Sequence, residues 1–219
     1  MNKKLITIAA LMGVAAASQS QVWYGGDFDG VNGYISNIGP NSFGFQGMVY
    51  DDFTWNSSSN ADNILGSMFV GNVADDQLLW EIRQGVVSGT GTLGTLVASG
   101  TTTASYTFLM TEFGLNLYNM TASIASTPLV NGNTYHLGVA LITTDINSSV
   151  GAVATTDGTN GIGSPLLNGN AFQWNASSNE VVGLSEDLSL GIGAAAVPEP
   201  ASMIALGLGA AALLRRRRK

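Results

Sequence analysis

Short segments rich in β-branched and aromatic residues alternate with clusters of Gly, Asn, Ser and Asp along most of this 219-residue chain. The first kind of residue favours extended strands, and the second favours tight turns. No internal segment keeps its apolar residues at the spacing of a helix face. The pattern therefore predicts an all-β protein, an antiparallel β-sandwich of jelly-roll or immunoglobulin-like type. The candidate strands are residues 33–38, 47–55, 63–71, 78–87, 93–99, 105–110, 115–124, 134–143, 171–175 and 188–192.

Alternation within these segments predicts which side chains face the core. In residues 78–87 the apolar side chains share one face, and Glu81 and Arg83 lie on the other face, where they can pair with each other. Residues 63–71 are apolar on both faces, which suits a strand in the middle of a sheet. The predicted core-facing residues of 78–87 and 134–143 are Leu78, Trp80, Ile82, Val86, Tyr135, Leu137, Val139 and Leu141.

The first twenty residues have the pattern of a secretory signal peptide. Lys3 and Lys4 precede an apolar run at residues 5–14, and small residues follow at 15–17. Cleavage is predicted after Ala17 or after Ser20, because signal peptidase requires small residues before the cut. The apolar run is too short for a lasting membrane span. We therefore expect residues 1–20 to be a signal peptide that engages the Sec translocon and signal peptidase, and residues 21–190 to form an exported β-sandwich domain.

The other end of the chain predicts a second membrane-directed segment. Pro198 and Pro200 interrupt any helix from upstream, because proline lacks an amide donor and restricts the residue before it. Residues 201–214 carry no charge, and as a helix they would span about 21 Å, less than the roughly 30 Å hydrocarbon core. The basic residues behind them should stay cytoplasmic. The predicted membrane stop consists of Arg215, Arg216, Arg217, Arg218 and Lys219.

The order Pro198-Glu199-Pro200, short apolar helix, arginine cluster resembles the PEP-CTERM protein-sorting signal of Gram-negative bacteria. The resemblance implies recognition by an exosortase, transient anchoring in the inner membrane, and export linked to exopolysaccharide and biofilm production. It assigns residues 198–219 to the sorting signal, and residues 191–197 are predicted to be a flexible stalk. An ordinary C-terminal transmembrane anchor is the alternative.

The middle of the chain is similar to a loosely defined group of exported bacterial β-domains. The resemblance lies in the runs YDDFTW at residues 50–55, WEIRQG at residues 80–85 and TYHLGVAL at residues 134–141. It implies a β-domain and carries no implication about activity.

Charge excludes several classes of partner. One of the eight basic residues, Arg83, lies between the two terminal segments, together with fourteen of the fifteen acidic residues, so that part has a formal charge of −13. Nucleic acids and anionic lipids are therefore not expected as direct partners. The chain has no cysteine, so its fold depends on its core without disulfides.

The motifs that suggest chemistry each have a simpler structural explanation. Gly89, Gly91 and Gly94 fit a dinucleotide-binding pattern, but a strand follows them where that pattern needs a helix, so a hairpin loop is expected. His136 is the single histidine, and the sequence contains no nucleophile-elbow motif whose serine it could activate. Without a second histidine or any cysteine, a zinc or copper site is not expected. We predict no catalytic residue, no metal ligand and no cofactor.

Paired carboxylates offer a weaker lead. The pairs are Asp27 with Asp29, Asp51 with Asp52, and Asp75 with Asp76. They could bind Ca²⁺ through clustered oxygen atoms, although the first pair is not an EF-hand, because Val31 and Ile38 occupy ligand positions. Solvated turn carboxylates are the simpler explanation. A glycosidase would need two carboxyl groups at a set separation across a cleft.

These observations predict an exported, non-enzymatic structural protein of the cell surface or extracellular matrix. The first alternative is a carbohydrate-binding module in which exposed aromatic residues stack on sugars, and bound calcium could assist this binding. The second alternative is a glycan-active enzyme. The aromatic candidates for sugar stacking are Trp23, Tyr24, Trp55 and Trp174.

Overall fold

The computed structural model describes residues 20–41, 43–73, 77–87, 92–144 and 150–194. In these residues every regular element is a strand, and no helix occurs. The all-β prediction is confirmed to that extent. The strands are β1 (Ser20–Tyr24), β2 (Phe28–Ile35), β3 (Asn37–Ile38), β4 (Gly47–Thr54), β5 (Ala61–Val70), β6 (Gln77–Gln84), β7 (Thr95–Glu112), β8 (Leu115–Thr127), β9 (Thr134–Ile142), β10 (Gly151–Thr156), β11 (Phe172–Asn175), β12 (Glu180–Gly183), β13 (Asp187–Leu188) and β14 (Leu190–Ala194).

The long strand β7 joins two groups of strands. Its first half pairs with β6, which continues through β9, β4 and β11 to β12. Its second half pairs with β8, which continues through β5 and β14 to β1, while β10 also pairs with β5, β2 and β13. The pairings are antiparallel, except that β3 lies parallel to β9. The predicted antiparallel pairing is therefore confirmed.

Both groups of strands contribute to one main hydrophobic cluster. Alternate residues of β4, β6 and β9 supply one side, including Phe53, Trp80 and Leu137. Residues of β5, β8 and β14 supply the other side, including Ile64 and Ile192. Burying such side chains stabilises the fold by about 25 cal/mol per Å² of apolar surface. The odd-numbered core positions predicted in 134–143 are confirmed, as are Leu78, Trp80 and Ile82.

Two local predictions about the core are wrong. Val86 was expected beside Ile82, but β6 ends at Gln84 and Gly85 turns the chain with a φ of 70°, so Val86 packs against a second cluster instead. The flexible stalk was expected from residue 191, but residues 191–194 belong to β14, which is fully buried and pairs with β5. Small residues there permit close packing, because a Cβ at Gly191 would lie 2.9 Å from Leu65 Cγ.

The compact unit extends from Gln21 to Ala194, a little beyond the predicted boundary at residue 190. Strand β1 begins at Ser20, so cleavage after Ala17 would leave it whole. The rest of the predicted signal peptide, residues 195–197 of the stalk, and the sorting signal at 198–219 lie outside the described residues.

Candidate functional site

The surface of β4, β9 and β11 that faces away from the main core carries a second cluster of buried side chains. Tyr50 stacks on Phe172 of the neighbouring strand, with ring centroids 4.7 Å apart and planes 7° from parallel. The tyrosine ring lies across β9 at Gly138, where a Cβ would come within 2.3 Å of Tyr50 Cε1. A larger residue at this register position would therefore force the Tyr50 ring to shift. The cluster consists of Met48, Tyr50, Ala140, Phe172 and Val181.

Three polar residues close the edge of this second cluster. The Tyr50 hydroxyl donates a hydrogen bond to Glu81 Oε2 at 2.7 Å, and Arg83 Nε lies 2.5 Å from the same oxygen. The predicted Glu81–Arg83 pair is confirmed. Burial, and then the nearby Glu81 carboxylate, raise the pKa of Tyr50 well above its ordinary value. Tyr50 therefore remains a neutral donor, and the three groups largely satisfy one another.

His136 lies beside this triad, between β4 and β6. Its register partners are Asp52 on one side and Arg83 on the other. Its ring packs 5.5 Å from the ring of Phe172. Burial lowers the pKa of His136 to about 4. The imidazole is therefore neutral at pH 7, and its Nδ1 atom is buried with no hydrogen-bond partner in the part of the chain that the structure describes.

Asp52 lies next to His136 on the same surface. The Asn168 amide donates to both of its carboxylate oxygens, at 2.9 and 3.1 Å. Burial raises the pKa of Asp52, and the Asn168 hydrogen bond partly opposes this rise. The amide comes from the loop before β11, which covers this end of the sheet.

A pocket of about 290 Å³ opens between these residues. It combines hydroxyl, amide, carboxyl and imidazole groups with a short apolar wall. Such a set can exchange hydrogen bonds with a small polar ligand. A general base works best with a pKa near the working pH, so a histidine that titrates at about 4 is poorly suited to that role. The pocket is lined by Asp52, Val86, Val87, Thr134, His136 and Asn170.

The described members of the carboxylate pairs each accept hydrogen bonds within the fold. Asp51 and Asp52 are neighbours in β4 and point to opposite faces, and Asp51 is buried in the core. Asp27 accepts hydrogen bonds from Tyr24 and Asn160, and Asp29 accepts one from Thr155. Among the described residues there is no group of three or more His, Cys, Asp or Glu side chains that could hold a metal ion. Asp75 and Asp76 lie outside those residues.

The glycine-rich stretch is flanked by strands. Val87 and Thr92 form an antiparallel bridge, and β7 begins at Thr95 directly after Gly94, which has a φ of 63°. The prediction that a strand follows this motif is confirmed. Gly89 and Gly91 are not among the described residues.

Most of the aromatic candidates for sugar stacking are buried. Trp23, Tyr24 and Trp55 are 1%, 8% and 0% exposed, so they cannot present a face to a sugar. Trp174 is half-buried beside the second cluster, and its indole N–H donates to Asn179. That part of the carbohydrate-binding prediction is wrong, because Trp23 and Trp55 belong to the main hydrophobic cluster and Tyr24 is buried with its hydroxyl bonded to Asp27.

Comparison with protein families identifies the C-terminal segment. The PEP-CTERM protein-sorting motif matches residues 196–219. The chain therefore carries a PEP-CTERM sorting signal. The PEP-CTERM motif implies an exported protein that is anchored in the membrane before exosortase processes it and is then placed at the cell surface.

Two further comparisons, with curated proteins and with solved structures, identify no relative of this chain. Within the residues that the structure describes, no helix is long and apolar enough to cross a membrane. The apolar segment predicted at 201–214 is not among them.

Sequence reasoning found His136 and Asp52 but not the pocket. Asn170 lines it and Asn168 bonds to Asp52, both from a loop far along the chain, and no local pattern marks them as neighbours of β4. Thr134 lies in a segment that was predicted as a strand, but the pattern did not show that its outer face borders a pocket.

Proposed function

We propose that this PEP-CTERM protein is a non-enzymatic structural protein of the cell surface or of an exopolysaccharide-rich extracellular matrix. The sorting motif at residues 196–219 is the observation that carries this proposal, since it implies delivery by an exosortase. The part of the chain to be delivered is a compact β-unit of residues 21–194. In this route the Sec translocon and signal peptidase act at the N-terminus before the exosortase acts at the C-terminus.

Two features of the β-unit support a structural rather than a catalytic role. The lone histidine is neutral with a pKa of about 4, so it is a weak base for proton transfer at neutral pH. The pocket beside it is lined by a single carboxyl group, Asp52, whereas glycoside hydrolysis uses two. An acidic, inert domain suits a matrix component that must stay soluble until it is anchored.

Gene deletion and tail deletion in the native host test this proposal. We expect loss of the protein to weaken the matrix, measured as biofilm mass or resistance to shear, and removal of residues 198–219 to give the same defect with the protein no longer on the surface. A chain with Asn131→Ala, an exposed residue far from both ends, should restore the normal matrix. A normal matrix after gene deletion would contradict the structural role.

We also propose that the fold is of the immunoglobulin-like rather than the jelly-roll type. The strands of the immunoglobulin fold are conventionally labelled with letters. In one sheet strand C pairs with strands F and C′, and in the other sheet strand E pairs with strands B and D. The same neighbours occur here when β5, β6, β8 and β9 are taken as B, C, E and F, with β7 supplying both C′ and D. Tyr135 at the start of β9 accepts a hydrogen bond at 3.0 Å from the backbone nitrogen of Val130, a contact like the tyrosine corner of such domains. An experimental structure in which β6 and β9 are not neighbours would overturn this assignment.

A carbohydrate-binding function is the second candidate, and the pocket beside His136 is the observation that favours it. Asp52, Thr134 and Asn170 offer acceptors and donors for sugar hydroxyls, and Val86 and Val87 offer an apolar wall. Glycan-array binding with residues 21–197 tests it. Binding that is lost in Asn170→Ala and kept in Asn131→Ala, two exposed asparagines, would support a sugar site in the pocket. Absence of binding to every glycan would exclude it.

A further inference from the structure

The β7–β8 hairpin ends in an exposed apolar tip. Phe108, Met110 and Phe113 are 56%, 46% and 59% exposed, and Leu109 beside them is 41% exposed. All of residues 107–112 are exposed, on both faces of the ribbon. Exposed apolar groups that cluster in this way mark an interaction surface more often than isolated ones do.

The turn at this tip carries backbone strain at Phe113. The two turn residues, Phe113 and Gly114, have φ values of 54° and 74°, which is the geometry of a two-residue hairpin turn. Asn, Asp or Gly normally fills the first of these positions, because other side chains lose about 1–3 kcal/mol there. The Phe113 ring contacts the buried Phe69 ring at a centroid distance of 6.0 Å, yet the side chain stays 59% exposed, so most of its surface is free to contact a partner.

The backbone of the same segment has an unused edge. Residues 107–112 pair with β8 along one edge of β7, and within the described residues no strand pairs along the other edge. Proteins usually protect such edges with lysine, proline or inward-pointing charges. Residues 92–127 contain one charged residue, Glu112, and no proline. As far as the described residues show, this edge can accept another strand.

Charge decides which partner fits this edge. The domain has a formal charge of −13, so two copies repel each other over most of their surfaces, but the hairpin is almost uncharged and lets two copies approach. A membrane surface fits less well, because proteins that lie on membranes usually surround their apolar residues with lysine and arginine. Arg83 is the one basic residue between the terminal segments.

We propose that residues 107–113 form a homotypic contact, in which β7 of one copy pairs antiparallel with β7 of a second copy and the two apolar tips cover each other. A two-fold arrangement uses the same strand twice, as in most homodimers. One strand edge and a hairpin tip involve fewer residues than the roughly 20–30 a side of a stable interface, so the dimer is weak in solution. Anchoring many copies at one surface raises their local concentration and strengthens the contact.

Sedimentation velocity over a concentration series tests the contact. The protein is expressed in full in an exosortase-bearing host and purified from the cell surface. We expect a concentration-dependent dimer. Phe108→Lys places like charges across the two-fold axis and should raise the dissociation constant by at least about tenfold. The matched control Val130→Lys adds the same charge at a 62% exposed residue outside the hairpin and should leave the dimer unchanged.

A second variant separates association from folding. Phe113→Asn places a residue that tolerates positive φ at the turn, which offsets the loss of the Phe113 ring contact with Phe69, so the hairpin should keep its thermal stability while the dimer weakens. Because the chain has no cysteine, single Cys substitutions at Thr107, Leu109 and Thr111 then report the register by disulfide cross-linking. A cross-link at one or more of these positions, and none with Val31→Cys, is the expected result.

Three results would overturn the proposal. The first is a monomer at every concentration. The second is a dimer that persists in both Phe108→Lys and Phe113→Asn, or that forms no cross-link from β7. The third is a monomer that binds phosphatidylcholine vesicles through Phe113, which would assign the tip to a lipid surface instead.

Discussion

Asp51 is buried in the core with its Oδ2 atom 2.8 Å from the backbone nitrogen of Leu188, which donates a hydrogen bond to it. The contact ties β4 to β13, which belong to the two different groups of strands. The Oδ1 atom accepts a second hydrogen bond from the Asp52 nitrogen. Burial raises the pKa of Asp51 well above its ordinary value, and the neighbouring Asp187 and Asp52 carboxyl groups add to the rise. The Asp51 carboxyl group links two groups of strands, and its raised pKa makes the stability of the fold depend on pH.

The contribution of Asp51 to the stability of the domain should fall as pH rises above about 4, the ordinary Asp pKa. Folded Asp51 keeps its proton to a higher pH than unfolded Asp51, so folding takes up a proton in that range. The contribution is complete below the unfolded pKa and is lost as pH passes through the raised folded pKa. Denaturant unfolding between pH 3.5 and 8 measures it, and each unit of pKa difference corresponds to about 1.4 kcal/mol.

Asp51→Asn should flatten this pH dependence, although it costs stability at low pH because the amide group replaces one acceptor. The control Asp157→Asn removes an exposed carboxyl whose pKa is lowered by a hydrogen bond with Thr159, a dependence of the opposite sign. An unchanged slope in Asp51→Asn would show that another group causes the pH dependence.

Gly138→Ala should destabilise the domain by about 1–3 kcal/mol, the usual cost of overpacking. The added methyl group meets the Tyr50 ring at 2.3 Å, and the ring is itself held by Phe172. Chemical denaturation gives the loss for this variant, for Tyr50→Val and for the double variant. We expect the double variant to be less destabilised than the sum of the single ones, because the clash needs both groups. If the losses of the two single variants simply add in the double variant, the cost of Gly138→Ala does not come from a clash with Tyr50.

His136 should titrate at about pH 4 in the folded domain. The chain has one histidine, so its imidazole signal in a proton NMR titration needs no assignment. A lowered pKa means that the folded state resists protonation, so this group costs stability as pH falls below about 6.5, the ordinary value. A midpoint near 6.5 would mean that the ring is solvated, and the closed geometry of the site would then be wrong.

Residues 21–197 should unfold cooperatively in the presence of a chelator, because the main hydrophobic cluster draws on both groups of strands. The formal charge of −13 opposes the compact state, more strongly at low salt. Thermal melts in chelator, in moderate NaCl and in millimolar CaCl₂ distinguish screening of this charge from specific binding of Ca²⁺. A rise that NaCl matches indicates screening, and a rise that only Ca²⁺ gives indicates a bound ion. Absence of a cooperative transition in chelator would show that the core is insufficient.

Strand alternation predicted the core where the strands are regular. Leu137 and Val139 are buried as expected, since β9 pairs with β4 on one side and β6 on the other and its period of two is undisturbed. The same reasoning failed at Val86, because one turn residue, Gly85, ended the strand early. The period of two gives no information about where a strand stops.

Composition misled the assignment of residues 191–194. A run of Gly, Ile and Ala has the composition of a linker, but β14 is held between β5 and β1 by pairing that is distant in sequence. The pocket was also beyond local reasoning, since Asn168 meets Asp52 across 116 positions of sequence. His136 could be recognised as unusual because it is the only histidine, but not as a neutral one, because its burial depends on neighbours distant in sequence such as Phe172 of β11.

Mass spectrometry of the mature protein from the cell surface tests the central claim, that this is a sorted PEP-CTERM protein whose tail serves as a processing signal. The account predicts a C-terminus near residues 198–201, and an N-terminus after Ala17 or Ser20. Replacing Pro198, Glu199 and Pro200 with alanine should leave the tail attached and the protein in the membrane fraction. Recovery of intact Arg215 to Lys219 in the mature surface protein would contradict the account.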